Sequence, residues 1–266
     1  MRRLLVLAVV FAALAGTAVS AAAAPVTLKI IFKEGLSVRQ MADTVSIVHG
    51  LAIRKRHVTP VLTGASYASA AAATSAPAAF RADDKRRSIE GFLFPAGYLF
   101  GASTRPSELI RLQLDAFATR WKRLDLSAAR ARHVSPYGVL TIASMVERET
   151  VAPSERKLVA AVICNRLAIK KPLAIDATLR YGLGIEGTRP ITEAELRNQT
   201  PYNTSIRPGL PPTPIGNPGL PSMIAAAHPA NLPYLYYVRK PDGVHHFFTA
   251  SETEFCKKAA EYGYHC

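Results

Sequence analysis

Glu147 and Glu149 stand two positions apart at the end of a long apolar run, Tyr137-Gly138-Val139-Leu140-Thr141-Ile142-Ala143-Ser144-Met145-Val146. A helix that is apolar on nearly every side is a buried helix. A carboxyl at its end is desolvated, which raises its pKa and lets it hold a proton near neutral pH. That is what a general acid requires. Two positions along a helix are too far apart in rotation to share a face, so at most one of the pair enters a given cleft. Glu-Arg-Glu is also the ordinary composition of a solvated helix end, so the assignment depends on the rest of the chain.

Other stretches offer polar chemistry. Glu90-Gly91-Phe92-Leu93-Phe94-Pro95-Ala96-Gly97-Tyr98 is dense in aromatics, and reads as a rigid loop packed on the core or as a wall on which sugars stack, with Glu90, Phe94 and Tyr98 the candidate contacts. Tyr202, Asn203 and Thr204 combine an aromatic face with amide and hydroxyl groups, the means of holding a sugar or of making a surface turn. Asn165, late in an apolar helix, is placed to hydrogen-bond a loop or to support the site. Asp176 reads as the N-cap of a helix starting at Ala177. His245 and His246 point to opposite faces of a strand and have no partner ligands at metal spacing, so no metal is expected.

These residues need positioning elements. A strand over residues 25–32, a glycine turn and a helix from Val38 capped by Ser37 make a small α/β unit. A further helix is expected over about residues 60–80, broken at Thr74-Ser75-Ala76-Pro77. Residues 107–121 form an amphipathic helix with Leu109, Leu112, Leu114, Phe117 and Trp121 inward. Short helices over 127–132 and 222–227, a longer one over 157–167 and a last one over about 252–262 complete the helical set. Residues 234–238 and 245–248 form a hairpin across Lys240-Pro241-Asp242-Gly243. Residues 209–219 carry too many prolines for helix or strand and read as a stiff cleft rim.

The chain has 266 residues, 49% apolar and 20% charged, as a folded globular protein does. Arg2 and Arg3 precede an uncharged run from Leu4 to Ala24. This is an export leader, compatible with a cleaved signal or with a retained single-pass anchor in the plasma membrane. Either way the body lies outside the cytoplasm. Net charge is +14, and +12 without the two leader arginines, which points to an anionic envelope partner. No nucleic-acid motif is present, and nucleic acid is not an expected partner. In an oxidising compartment Cys256 can pair with Cys266, leaving Cys164 as a buried thiol.

Eight motifs then fall in series. They are Glu90-Gly-Phe-Leu-Phe-Pro, Ala143-Ser-Met-Val-Glu-Arg-Glu-Thr, Val162-Ile-Cys-Asn-Arg-Leu, Asp176-Ala-Thr-x-x-Tyr-Gly, Pro201-Tyr-Asn-Thr, Gly209-Leu-Pro-Pro-x-Pro-Ile-x-Asn-Pro-Gly, Ala227-His-Pro-Ala and Tyr234-Leu-Tyr-Tyr-Val. With them the chain resembles the endolytic murein transglycosylase family, the YceG-like or MltG-type proteins, over about residues 28–252.

The resemblance implies an α+β fold: a signal or anchor over residues 1–24, a LysM-like module with its connecting helix over 25–88, and a catalytic domain of helices and sheet over 89–266. It implies a membrane-anchored lyase that cuts nascent peptidoglycan strands to 1,6-anhydro ends, without metal or organic cofactor and in company with cell-wall synthases. Its catalytic glutamate is the first of the pair, Glu147 here, with Glu149 supporting it. Ala174 stands where the family often has glutamine, and a family histidine is replaced near Glu254. A catalytically inactive glycan-binding protein is the alternative; a cytoplasmic pyridoxal-phosphate lyase is disfavoured by the leader.

Overall fold

The computed structural model describes residues 26–80, 87–185, 187, 189–264 and 266. The expected leader lies outside these residues.

Strand β1 (Leu28–Ile31) alternates, with Leu28 and Ile30 buried and Lys29 and Ile31 outside. After the Glu34-Gly35 turn, Ser37 caps α1 (Val38–Arg56) in a capping box with Gln40. This helix runs beyond the Val38–Val45 segment that the sequence marks as helical, because its inward row continues to Ala52. Thr63 caps α2 (Gly64–Ala73) in the same way, and the chain breaks at Thr74 as the sequence indicated.

The loop expected over Glu90 to Tyr98 gives way at its end to strand β2 (Gly97–Phe100), a correction to the sequence reading. It pairs antiparallel with β1, Leu28 opposite Phe100 and Ile31 opposite Gly97. The pairing places Tyr98 and Phe100 on the face that β1 buries. One sheet therefore joins chain from either side of residues 88 and 89.

Next come α3 (Pro106–Trp121), α4 (Ser127–Ala131) and the central α5 (Pro136–Glu149). In α3 the buried row is Leu109, Ile110, Gln113 and Phe117, whereas Leu112 faces out at 40% exposure. Gln113 is inside because Tyr67 donates to its Oε1 at 2.7 Å. Every residue of α5 from Gly138 to Val146 is buried. The helix packs chiefly on α9 (Leu220–Ala227) and α6 (Arg156–Ala168). Between these lie α7 (Asp176–Leu183) and the short α8 (Glu193–Leu196). The chain ends with the antiparallel hairpin β3 (Tyr236–Arg239) and β4 (His246–Thr249), and with α10 (Glu252–Glu261) packed against it. A disulfide joins Cys256 to Cys266, ten residues apart, while Cys164 is a buried free thiol pushed up to about 11 by its burial.

The proline-rich loop is tied into this core by Asn217. Its Nδ2 donates to Leu36 O and Glu90 Oε1, each at 2.9 Å, and its Oδ1 accepts Leu93 N–H at 2.8 Å. Gly91 adopts φ 92°, and a Cβ there would meet Pro214 at 2.7 Å, so no larger residue fits beneath the loop. Replacing Asn217 with alanine leaves the buried Leu93 N–H unpaired, at a cost of about 1–3 kcal/mol, while Leu36 O keeps the backbone N–H of residue 217 and Glu90 Oε1 keeps the Val38 N–H. Urea unfolding of Asn217→Ala should show a loss of about 1–3 kcal/mol.

Candidate active site

The end of α5 sends its two glutamates in opposite directions. Glu147 turns towards the N-terminus of α9, where its Oε2 accepts the Gly219 N–H at 2.9 Å and its Oε1 lies 3.8 Å from Arg156 Nη2. Only 7% of its side chain is exposed. Arg156 is steadied in turn by Ser222 Oγ at 3.2 Å. Glu34 closes over the same spot, so that a Cβ on Gly219 would run into its carboxyl. Burial raises the Glu34 carboxyl above its ordinary value, the charge of Glu147 raises it further, and Arg156 opposes both.

Glu149 faces a cleft of about 500 Å³, lined with it by Arg148, Asp176, Ala177, Arg180, Gly187, Arg239 and Tyr264. Tyr237, on β3, donates its hydroxyl to Glu149 Oε2 at 3.1 Å, and Arg239 donates to the Glu149 carbonyl at 3.3 Å. Burial raises the Glu149 carboxyl above its ordinary value. The Tyr237 hydrogen bond pulls it down, the charge of Asp176 pushes it up, and Arg239 and the Ala177 amide pull it down. Burial also raises Asp176, against Arg180. The cleft thus pairs two carboxyls that resist ionisation with three guanidinium groups. Arg148 is turned inward, donating to Gly35 O at 3.3 Å. Arg180 clamps the carbonyls of Gly187 and Arg189 at 3.4 and 2.6 Å.

Asp176 is the first residue of α7 rather than its cap, the cap position being Ile175. Its carboxyl is therefore spare for the cleft. Asn165 holds a loop, donating to Leu232 O at 2.8 Å and Tyr234 O at 2.9 Å, and so fixes the entry to β3.

The expected glycan contacts fall elsewhere. Phe94 is buried beneath the Arg120 guanidinium, and Tyr98 is buried with its hydroxyl on Phe94 O at 2.7 Å. Asn203 is wholly buried and closes its own loop on Leu196 O and Asn198 O, each at 2.8 Å. Thr204 is buried against Ile175 N–H and Thr178 Oγ1. None of these four offers a face to a sugar. Tyr202 lines a different cavity, of about 390 Å³, between α1, α2 and α7.

At the floor of that second cavity lies Glu90, which accepts the Val38 N–H on both oxygens at 3.1 Å and the Tyr181 hydroxyl at 3.1 Å. It caps α1 across 52 residues of sequence. Burial pushes it up to about 7, against the Val38 and Tyr181 hydrogen bonds. His245 pairs with Asp242 and His246 with buried Glu155, at 2.9 and 2.7 Å.

Tyr237, Arg239 and Tyr264 were missed as site residues. Alternation along the aromatic strand narrows the choice to one face, but only the hairpin's docking shows which tyrosine meets Glu149.

A model of the YceG-like family matches residues 9–261. The chain belongs to the YceG-like family. It is 36% identical over 159 residues to a protein of Bacillus subtilis strain 168 named endolytic murein transglycosylase, a stretch covering 58% of this chain and 43% of that one. A protein of the same name from Streptococcus pneumoniae R6 is 33% identical over 58% of this chain and 28% of its own length. The YceG-like chain thus spans less than half of either relative. A crystal structure of a yceG-like protein from Listeria monocytogenes superposes with TM-score 0.70 at 27% identity, covering 87% of this chain and 76% of that one.

The Glu90 shift carries a stability signature. An unfolded Glu90 titrates near its ordinary 4.5 and the folded one near 7, so its contribution is full below about 4.5 and is lost as pH rises through about 7. Denaturant unfolding between pH 4.5 and 8 should show a decline on the order of 3 kcal/mol that Glu90→Gln flattens.

Proposed function

We propose that this chain is an endolytic peptidoglycan lytic transglycosylase, and that Glu149 rather than Glu147 is its acid and base. The observation that carries the choice is Glu149's place in an open cleft, with its carboxyl raised by burial and bonded to Tyr237. Glu147 is enclosed and spends its oxygens on Gly219 and Arg156. The expectation from the motif reverses for a physical reason. Both residues are desolvated, but only one is left facing space for a substrate.

The reaction needs one carboxyl used twice. Protonated Glu149 gives its proton to the oxygen bridging N-acetylmuramic acid and N-acetylglucosamine as that bond breaks. The carboxylate so formed takes the proton of the muramic acid 6-hydroxyl, whose oxygen closes on the anomeric carbon to give the 1,6-anhydro end. The proton lost in the first step is regained in the second. Asp176, close enough for its charge to raise the Glu149 carboxyl, favours the protonated resting state, and Tyr237 steadies the carboxylate between the two steps. Arg180 and Arg239 supply donors for hydroxyl and carboxylate groups of the strand. Glu147 and Arg156 act by holding the end of α5 against α9.

The family and the names of its relatives support peptidoglycan as substrate. Residues 4–24 take the body across the plasma membrane, as an anchor or as a cleaved signal, beside cell-wall synthases. Among the described residues no helix is long and apolar enough to span a membrane. Residues 25–88 form the LysM-like part, which contributes Glu34 to the end of α5.

Glu149→Gln should abolish anhydro-muropeptides in digests of isolated sacculi read by mass spectrometry, with the melting temperature retained. Glu147→Gln should keep the same products while losing about 1–3 kcal/mol of stability. Free reducing ends in place of anhydro ends would point instead to hydrolysis, with Asp176 activating water.

The cleft's neighbours should move the alkaline limb of the kcat profile in opposite directions. Asp176→Asn removes a charge that raises Glu149, so the limb shifts to lower pH. Tyr237→Phe removes a bond that favours the carboxylate, so the limb shifts to higher pH. Equal profiles in the two variants would remove both residues from the acid's control.

A further inference from the structure

The family match ends at residue 261, and Tyr264, just beyond it, lines the Glu149 cleft. Helix α10 stops at Glu261. Gly263 adopts φ 83°, and the Tyr264 N–H folds back onto Ala259 O at 2.8 Å. Cys266 is then locked to Cys256, one turn before the end of the same helix, with 5.1 Å between Cα atoms. This short clasp leaves Tyr264 in the wall of the Glu149 cleft, while Cys266 borders the neighbouring hollow formed by Tyr236, Tyr237 and Phe255.

We propose that this disulfide-clasped tail is a glycan-binding wall of the cleft, with the Tyr264 ring as its stacking face. The proposal rests on the reading of the Glu149 cleft as the site of strand cleavage.

Chemistry narrows the ligand. Tyr264 is the one aromatic side chain among the described residues lining that cleft, and it is 46% exposed. The remaining lining is mostly charged. Aromatic rings with a free face and a wet hydroxyl are the side chains that bind ligands apolar on one side and polar at the edge. A pyranose ring is such a ligand, its C–H face packing on the ring and its hydroxyls meeting the surrounding arginines. The tyrosine and the acid share one cleft, so the sugar held is at or beside the bond that breaks. The tail also rides on α10, which packs on the hairpin that carries Tyr237 and Arg239. Wall and acid are therefore supported by one element.

Among the described residues, the disulfide and the backbone bonds of the turn hold this tail in place. Wall integrity should then follow the state of the bond, which forms outside the cytoplasm.

The test uses the full protein and uncrosslinked glycan strands of alternating N-acetylglucosamine and N-acetylmuramic acid. Tyr264→Ala should raise KM about tenfold with kcat within about twofold, the size expected for one lost aromatic contact. Tyr264→Phe and Tyr264→Trp should restore KM. Cys266→Ser, or wild type treated with dithiothreitol, should reproduce the rise, and dithiothreitol should add nothing to Tyr264→Ala. A Tyr264→Ala protein with wild-type KM overturns the proposal, as does a KM rise shared equally by Tyr264→Phe and Tyr264→Trp. Strand binding to Glu149→Gln separates the two layers of the argument. If that variant still cleaves strands, the acid has been misassigned. A Tyr264→Ala loss of affinity measured in its background supports the wall whatever residue is the acid, and an unchanged Kd there defeats it.

Discussion

The complete burial of α5 is the constraint from which the rest follows. A helix with no exposed residue from Gly138 to Val146 must satisfy its polar side chains internally or place them at its ends. Thr141 donates to Tyr137 O at 2.9 Å, and Ser144 donates to Thr141 O at 2.7 Å while accepting Ile215 N–H at 3.0 Å. The last of these bonds pins the proline-rich loop to the middle of the helix. Charge appears only where the helix runs out, at Glu147, Arg148 and Glu149. There the half-turn offset between the glutamates decides their fates. One is spent on structure against α9, and the other reaches space.

A second buried carboxyl shows what that structure costs. Glu90 lies at the meeting point of α1, α7 and the Asn217 loop, and takes hydrogen bonds from each. An ionised carboxyl in such a place is expensive, and the rise to about 7 expresses that expense. It is retained where the first amides of α1 have no intrahelical partner, which is what a capping acceptor supplies. Glu90 and Asn217 together stitch residues 36–38 to the loops of residues 90–93 and 217, and so hold Glu34 over the end of α5.

Much of this architecture could be read in the sequence, and the failures have physical causes. Ser37, the break at Thr74 and the apolar run of α5 are local signals, and they specify local structure. Strand β2 has only four residues beside a proline and a glycine, too few to show a period, and it exists because β1 lies opposite. Asp176 looks like a cap because aspartate before a helix usually is one, yet it sits inside the first turn. Aromatic, amide and hydroxyl groups in the loops of Glu90 to Tyr98 and Tyr202 to Thr204 are equally the makings of a sugar wall and of a loop that satisfies itself. Composition does not separate these, and burial does. The contact that sets Glu149 apart from Glu147 comes from a tyrosine 88 residues downstream of Glu149, which no spacing within the motif could reveal.

The two-stranded sheet of β1 and β2 has a consequence for how this protein can be taken apart. Among the described residues each strand is the other's sole partner, and their inward residues share one apolar interior with α1, α2 and α3. An isolated residue 89–266 fragment would present β2 as an open edge, with Tyr98 and Phe100 stripped of cover, and would lose the hand that Glu34 lays on the end of α5. Evolution or engineering can therefore graft new modules before residue 26 or beyond the tail. A graft that exchanges the first strand must bring a replacement that fits the second.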